Sequence, residues 1–240
     1  MTSACGGGSV QVETAYPFDD EVKIIARAST RVCPLYIRVP DWAGGDGGTA
    51  ELLIESNGSR PVNLDGKNGT VVRVGMVPAG ATPLRATLLL KPRIRIERWS
   101  AGGYSVHRGA LMFSLPIAPN FTVVAHHYGT DAQSNDYDVS NASAWAYALD
   151  ASPTDPSATM EFVPSGTMDP AAAPFNHTGW PVAVRATIRS LPDWGISINS
   201  ADSPPASPAC ASPGTCGAPQ RVLLVPHGAT DLRIGMFPLA

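Results

Sequence analysis

The sequence predicts an all-β protein made of two consecutive antiparallel β-sandwiches, jelly-roll-like in plan. Three observations predict it. Apolar and polar residues alternate at a period of two wherever the chain is patterned, which turns one face of a strand inward. Clusters of Gly, Pro, Asn and Asp separate these stretches at short intervals, the spacing of a sandwich rather than of alternating strands and helices. The 23 glycines and 23 prolines in 240 residues favour turns, and no convincing helix of three turns can be drawn anywhere.

The elements follow in order. In "EVKIIARA", Val22, Ile24 and Ala26 alternate with Lys23, Ile25 and Arg27; in "PLYIRVP", Leu35, Ile37 and Val39 alternate with Tyr36 and Arg38. Further strands are expected at 50–55, 70–76, 84–90 and 93–98, where Ile94 and Ile96 point inward between Arg93, Arg95 and Glu97. The turn signals between them are "AGGDGG", "SNGSRP", "LDGKNG" and "PAGATP". A break falls at "WSAGGYSVHRG". After it come "ALMFSLPI", "FTVVAHH", "SAWAYAL", "MEFVP", "PVAVRATIRSLPDW", "RVLLVPHG" and "TDLRIGMFPL". The organisation expected is a disordered or truncated lead-in at 1–9, a first sandwich over 10–100 and a second over 101–240. The second carries a Pro/Ser-rich loop at 195–220, read as an excursion because strand patterning resumes beyond it.

Charge and hydropathy remove whole classes of function. A net charge of −3, with 17 Lys and Arg spread along the chain, offers no basic stripe for nucleic acid. No apolar run approaches the ~18 residues of a membrane span. The amino terminus "MTSACGGGSV" lacks the basic and apolar regions of a signal peptide. Five of the eight asparagines, however, head N-glycosylation acceptor triplets: Asn57, Asn68, Asn120, Asn141 and Asn176. Ordinary Ser and Thr usage would give roughly one, although these residue types also gather in turns. Sequons without a signal suggest a fragment of a secreted or secretory-pathway protein. Cys210 and Cys216 bracket "ASPGT" and could close a small disulfide ring; Cys5 and Cys33 have no evident mates.

Candidate chemistry is sparse. His126 and His127 are adjacent and would point to opposite faces of a strand, and His107, His177 and His227 lack neighbours at metal-ligand spacing. "DAQSNDYD" offers Asp131, Asn135, Asp136 and Asp138 as oxygen donors, without the glycine and glutamate of an EF-hand loop; a polar turn is the favoured reading over calcium. There is no G-x-S-x-G elbow, and "CGGGS" lacks the lysine of a phosphate loop. The six glutamates form no recognisable pair in sequence, though a pair could form in space. Trp42, Trp99, Trp145, Trp180 and Trp194 could stack on sugars, with packing at strand ends the plainer role. Trp42 and Trp194 both follow Pro-Asp, which suggests a recurring corner. No catalytic, cofactor-binding or metal-binding residue can be assigned.

The structural-looking stretches are the ones that carry a resemblance. "TAYPFDDEVKI" followed by "LYIRVPDWA" resembles the segment just after the catalytic barrel of glycoside hydrolase family 127, the β-L-arabinofuranosidase family. "VHRGALMFSLPI" is similar to the strand that introduces that family's final sandwich. "SAWAYAL", "LPDWG", "PPASP" and "LVPHGATDLRIGMFP" look like the rest of its terminal domain. The series covers roughly residues 10–239.

That resemblance implies an (α/α)6 barrel followed by two β-sandwiches, with the zinc site, the cysteine nucleophile and the acid/base glutamate all in the barrel. The chain contains neither barrel nor paired-cysteine segment, and Cys5 does not match it, so no zinc and no catalytic residue carry over. The expectation is a non-catalytic accessory region, inactive alone, that buttresses a catalytic barrel of the same parent protein. A plant- or algal-type polysaccharide is the other partner considered; nucleic acid and membrane are not expected. The rival reading is a free-standing carbohydrate-binding or adhesion module.

Overall fold

The structure, a computed structural model, describes residues 7–55, 60–100, 102–126, 135–164 and 179–240. These residues are all-β, with no helix of seven or more residues and several antiparallel sheets. Among them no helix is long and apolar enough to cross a membrane. The chain divides into two compact units: residues up to Arg93 with Arg108–Ala110, and Ile94–His107 with Leu111–Ala240.

Unit 1 contains β1 (Gly8–Thr14), β2 (Glu21–Ala28), β3 (Cys33–Arg38), β4 (Gly48–Ile54), β5 (Val62–Asn63), β6 (Val71–Val77) and β7 (Leu84–Pro92). One sheet runs β1-β2-β7-β4-β5, and β3 and β6 form a separate pair. The alternation sets the register: Ala26 lies opposite Leu84, Ile24 opposite Ala86, Leu52 opposite Leu88 and Ala50 opposite Leu90. The inward face therefore mixes large and small side chains, and all of these are buried. It packs against Cys33, Val74 and Val77 of the β3–β6 pair, with Leu35, Ile37 and Val72 half-buried beside them. Each fully buried leucine contributes roughly 1.5–3 kcal/mol. The start of β4 can approach β7 closely because it is Gly48, at φ 127°; a Cβ there would lie 2.3 Å from the Lys91 carbonyl oxygen.

Two details of unit 1 differ from expectation. Gly8 and Ser9, placed in the lead-in, belong to β1, which pairs with β2 from Gly8–Ala28 to Thr14–Val22. Every β1 side chain is nonetheless exposed, so backbone pairing, with Thr14 Oγ1 donating to the Glu21 carbonyl at 2.7 Å, holds it rather than burial. Cys33, read as unmated, is disulfide-bonded, and no described cysteine is free; Cys5 lies outside the described residues. The "YPFDD" segment is a turn closed by the Phe18 N–H on the Ala15 carbonyl at 2.9 Å, around a cis Tyr16–Pro17 bond. Asp20, directly after it, receives a forked contact from Arg108, at 3.1 and 2.6 Å. Arg108 is mostly buried, and a bidentate guanidinium–carboxylate pair of this kind ties residues 88 positions apart.

Unit 2 contains β8 (Ile94–Arg98), β9 (Tyr104–Arg108), β10 (Leu111–Pro116), β11 (Pro119–His126), β12 (Asn135–Asn141), β13 (Tyr147–Leu149), β14 (Met160–Pro164), β15 (Val182–Ser190), β16 (Ile196–Ser197), β17 (Ser200–Ala201), β18 (Pro219–Pro226) and β19 (Arg233–Ile234). The main sheet runs β13-β15-β18-β10-β9-β8, with β14 also on β15 and β19 also on β10, and it curls into a half-barrel. β8, grouped by its alternation with the first module, joins this sheet through β9. Val106, Phe113, Leu149, Val184, Ile188, Leu224 and Phe237 are completely buried. The last residues lace the curl. Tyr104 and Phe237 exchange two backbone hydrogen bonds of 2.8 Å, and the Leu149 N–H donates to the Pro238 carbonyl at 2.9 Å.

The segment read as a polar turn or calcium loop is partly a strand: Asn135–Asn141 pairs with β11, Tyr137 opposite Val123 and Asp138 opposite Thr122. Its composition is poor in strand formers, so its partner, rather than its propensity, makes it β. The Pro/Ser loop is anchored. Trp194 Nε1–H donates to the Asp202 carbonyl at 2.9 Å, and the Ala209 N–H to that of Leu239 at 2.7 Å. Cys210 and Cys216 are joined, their Cα atoms 5.4 Å apart.

Candidate functional site

The densest polar constellation in unit 2 grows from the β8–β9 hairpin. "RIRIERWSAGGYSVHR" alternates on both arms, and the Trp99 N–H donates to the Gly103 carbonyl at 2.8 Å to close the turn. Two-residue spacing puts Arg95, Glu97 and Trp99 on one face of β8 and its extension, and Ser105 and His107 on one face of β9. Hydrogen bonds join the two rows. Trp99 Nε1–H donates to Ser105 Oγ at 2.6 Å, and Ser105 Oγ contacts His107 Nε2 at 2.8 Å. Glu97 Oε2 lies 3.5 Å from the same nitrogen, and Arg95 Nε–H donates to Glu97 Oε1 at 2.7 Å. Burial pushes His107 below its ordinary value; Glu97 opposes that shift and Arg95 adds to it.

Serine, histidine and glutamate in contact invite comparison with a nucleophilic triad, and the geometry rejects it. Ser105 and Glu97 address one and the same ring nitrogen, so the carboxylate cannot orient the imidazole from its far side as a triad requires. The Ser105 side chain also has no exposure to solvent. This network anchors the indole edge.

A second serine–histidine contact joins β10 to the turn after β18. Ser114 Oγ lies 2.7 Å from His227 Nδ1, while Arg233 Nε–H donates to His227 Nε2 at 2.9 Å. An arginine can only donate, so Nε2 must be the acceptor and the neutral ring carries its proton on Nδ1. His227 therefore donates to Ser114 and cannot act as its base. Burial and then Arg233 lower its proton affinity, which keeps the ring neutral. Gly235 seals the cluster: a Cβ there would come within 2.8 Å of Met112 Cε and 3.1 Å of Ser114 Oγ.

The remaining sequence candidates are scattered. His126 bonds Asn135 Oδ1 at 2.7 Å on an exposed hairpin; His127, Asp131 and His177 lie outside the described residues. Among the described residues no three His, Cys, Asp or Glu side chains converge on a metal-sized site. Asn68, Asn120 and Asn141 are exposed, Asn68 Nδ2 donating to the Asp41 carbonyl at 3.2 Å; Asn57 and Asn176 lie outside the described residues. Trp194 is buried, edge-to-face on Trp145 with ring centroids 5.2 Å apart, and Trp42 packs against the unit 1 core. The two Pro-Asp-Trp corners are different turns. The first bonds Ala43 N–H to the Pro40 carbonyl, the second Trp194 N–H to that of Leu191, one residue out of phase. Sequence reasoning missed both serine–histidine contacts. The i,i+2 pair Ser105/His107 was visible as "SVH"; Ser114 and His227, 113 residues apart, left no local trace.

No family model matches the chain, and no curated protein matches it in sequence. Solved structures do resemble it. One titled "Glycoside hydrolase" superposes with a TM-score of 0.53 at 16% identity, over 96% of this chain and 32% of the other. A β-L-arabinofuranosidase of family 127 from Geobacillus stearothermophilus T6 gives a TM-score of 0.43 at 14% identity, over 97% of this chain and 31% of its own. The chain spans about a third of the length of these structures, and the first of them shows that its two-unit β fold is one found within a glycoside hydrolase.

Proposed function

We propose that this chain is a non-catalytic accessory β-sandwich region of a glycoside hydrolase family 127-like protein of the β-L-arabinofuranosidase type, and that it buttresses an (α/α)6 catalytic barrel. The observation that carries the reading is the fold likeness of 96% of the chain to 32% of a solved glycoside hydrolase. The ordered segments from "YPFDDEVKI" to "LRIGMFP" support the finer family. A supporting feature lies on β1. Val10 and Val12 stand opposite Ala26 and Ile24 on the core-facing side of the sheet, yet remain 60% and 53% exposed. The inward face thus runs past its own cover, as a surface awaiting a neighbour would. In this reading zinc and the catalytic residues belong to the barrel, and the parent protein is secreted and glycosylated at Asn68, Asn120 and Asn141 among its sequons.

The deciding experiment is the transcript sequence 5′ of the Met1 codon. In-frame coding for a helical barrel with a paired-cysteine segment is the expected result. A signal peptide or stop codon immediately upstream would overturn the reading. The purified chain is also expected to leave arabinofuranosides intact with or without zinc. Turnover that survives contaminant controls and is lost on one substitution in this chain would contradict it.

A further inference from the structure

The buried network of the β8–β9 hairpin holds one large side chain half outside. Trp99 is 45% exposed although its indole nitrogen is fixed at 2.6 Å on the fully buried Ser105. An indole pinned by its N–H edge cannot fold away onto the surface, and its conformational freedom is already spent in the free protein. Beside it on the same row stands Glu97, whose side chain is 44% exposed. Its Oε1 accepts from Arg95, whereas its Oε2 sits 3.5 Å from His107, beyond good hydrogen-bond length, with acceptor capacity to spare. Next to the indole the charges are paired. The Arg95 and Glu97 charges cancel, and the lowered proton affinity of His107 leaves it neutral at pH 7.

From this geometry we propose that the Arg95–Glu97–Trp99 face of the β8–β9 hairpin is a binding site for a neutral saccharide. The indole takes the apolar C–H face of a sugar ring, and Glu97 accepts from its hydroxyls. A pre-fixed aromatic platform beside a hydrogen-bonding carboxylate suits a ring with one apolar face and a polar rim. Charge cancellation disfavours polyanions, which would need unpaired cations. Ser105 and His107 are positioning residues: they hold the indole and the carboxylate and do not touch ligand. The proposal stands on the hairpin alone and is independent of the accessory-region reading.

The test is affinity electrophoresis of the 240-residue protein in gels of arabinan, xylan and mixed-linkage β-glucan, with dextran sulfate as the anionic control, followed by calorimetry on any retarding polymer. Retardation by at least one neutral polymer is expected. W99A should weaken it about tenfold or more, E97Q by roughly fivefold, and W99F, which keeps an aromatic face but loses the indole N–H held by Ser105, by less than W99A and about as much as S105A. No retardation in any neutral gel overturns the proposal, as does retardation by dextran sulfate alone. Equal binding by wild type and W99A also overturns it. Should W99A fail to fold, E97Q and W99F decide: E97Q binding like wild type overturns the site. S105A separates positioning from structure, since it should lower affinity while leaving the secondary structure intact.

Discussion

Unit 1 closes its core between two separate sheets, whereas unit 2 closes by a curl that its last residues lace together. In unit 1, β2 and β7, far apart in sequence, face small residues with large ones in one repeated register, Ala26 on Leu84 and Ile24 on Ala86, so the packing instructions are redundant along the ladder. In unit 2, Phe237 bonds back to Tyr104 on β9 while the next residues bond to β13, the far side of the same sheet. One unit therefore spreads its stability along a ladder, and the other concentrates closure in its last four residues, with the fully buried Phe237 at their head. The described histidines divide just as unevenly: His107, His126 and His227 all fall in unit 2.

The largest expected effect comes from that closure. F237A removes a fully buried ring and should cost about 3–5 kcal/mol. Hydrogen exchange should rise through β9, β13 and β15 and stay unchanged in β2 and β7. Loss of protection in unit 1 as well would mean that the two cores are not separate. The reciprocal change, L88A, should cost about 2–5 kcal/mol and raise exchange in β2, β4 and β7 only. A cost at the low end would show that the neighbouring alanines let the site collapse.

Acidification should sharpen the contrast. His107 and His227 both have proton affinities below the ordinary value, burial being the main cause in each. The unfolded chain then binds protons more readily than the folded one as pH falls below about 6.5, so stability is full above that value and declines below it. His107 faces Glu97, Arg95 and Ser105, and His227 faces Arg233 and Ser114. Moving from pH 7.5 to 5.5 should lower the melting of unit 2 by a few degrees. H107Q with H227Q should flatten that slope; an unchanged slope would place the pH sensitivity in the carboxylates.

The smallest effect concerns the β16–β17 hairpin. Ile198 and Asn199 form its tip with φ of 50° and 58°, and Ile198 is 97% exposed. A β-branched side chain is strained in that region, where Asn is tolerated. I198N should therefore stabilise by about 1 kcal/mol, seen as a small rise in melting temperature.

What the sequence determined by itself is the strand identity of the strongly alternating stretches. "EVKIIARA", "LRATLLLKP" and "VAVRATIRS" are β2, β7 and β15 because only a period of two puts their Val, Ile, Leu and Ala on one side. The all-β class followed from the same pattern together with its turn residues. Tertiary structure decided the rest. "NDYDVSN" is a strand only because β11 lies beside it, and β8 belongs to unit 2 only because β9 carries it there. Two identical Pro-Asp-Trp triplets make different turns because one Trp packs on the unit 1 core and the other on Trp145. The row of Arg95, Glu97 and Trp99 was legible as alternate positions of "RIERW". That its indole is fixed at one edge and still 45% exposed was not. Alternation says which residues share a face, but burial depends on what distant segments the chain folds over that face.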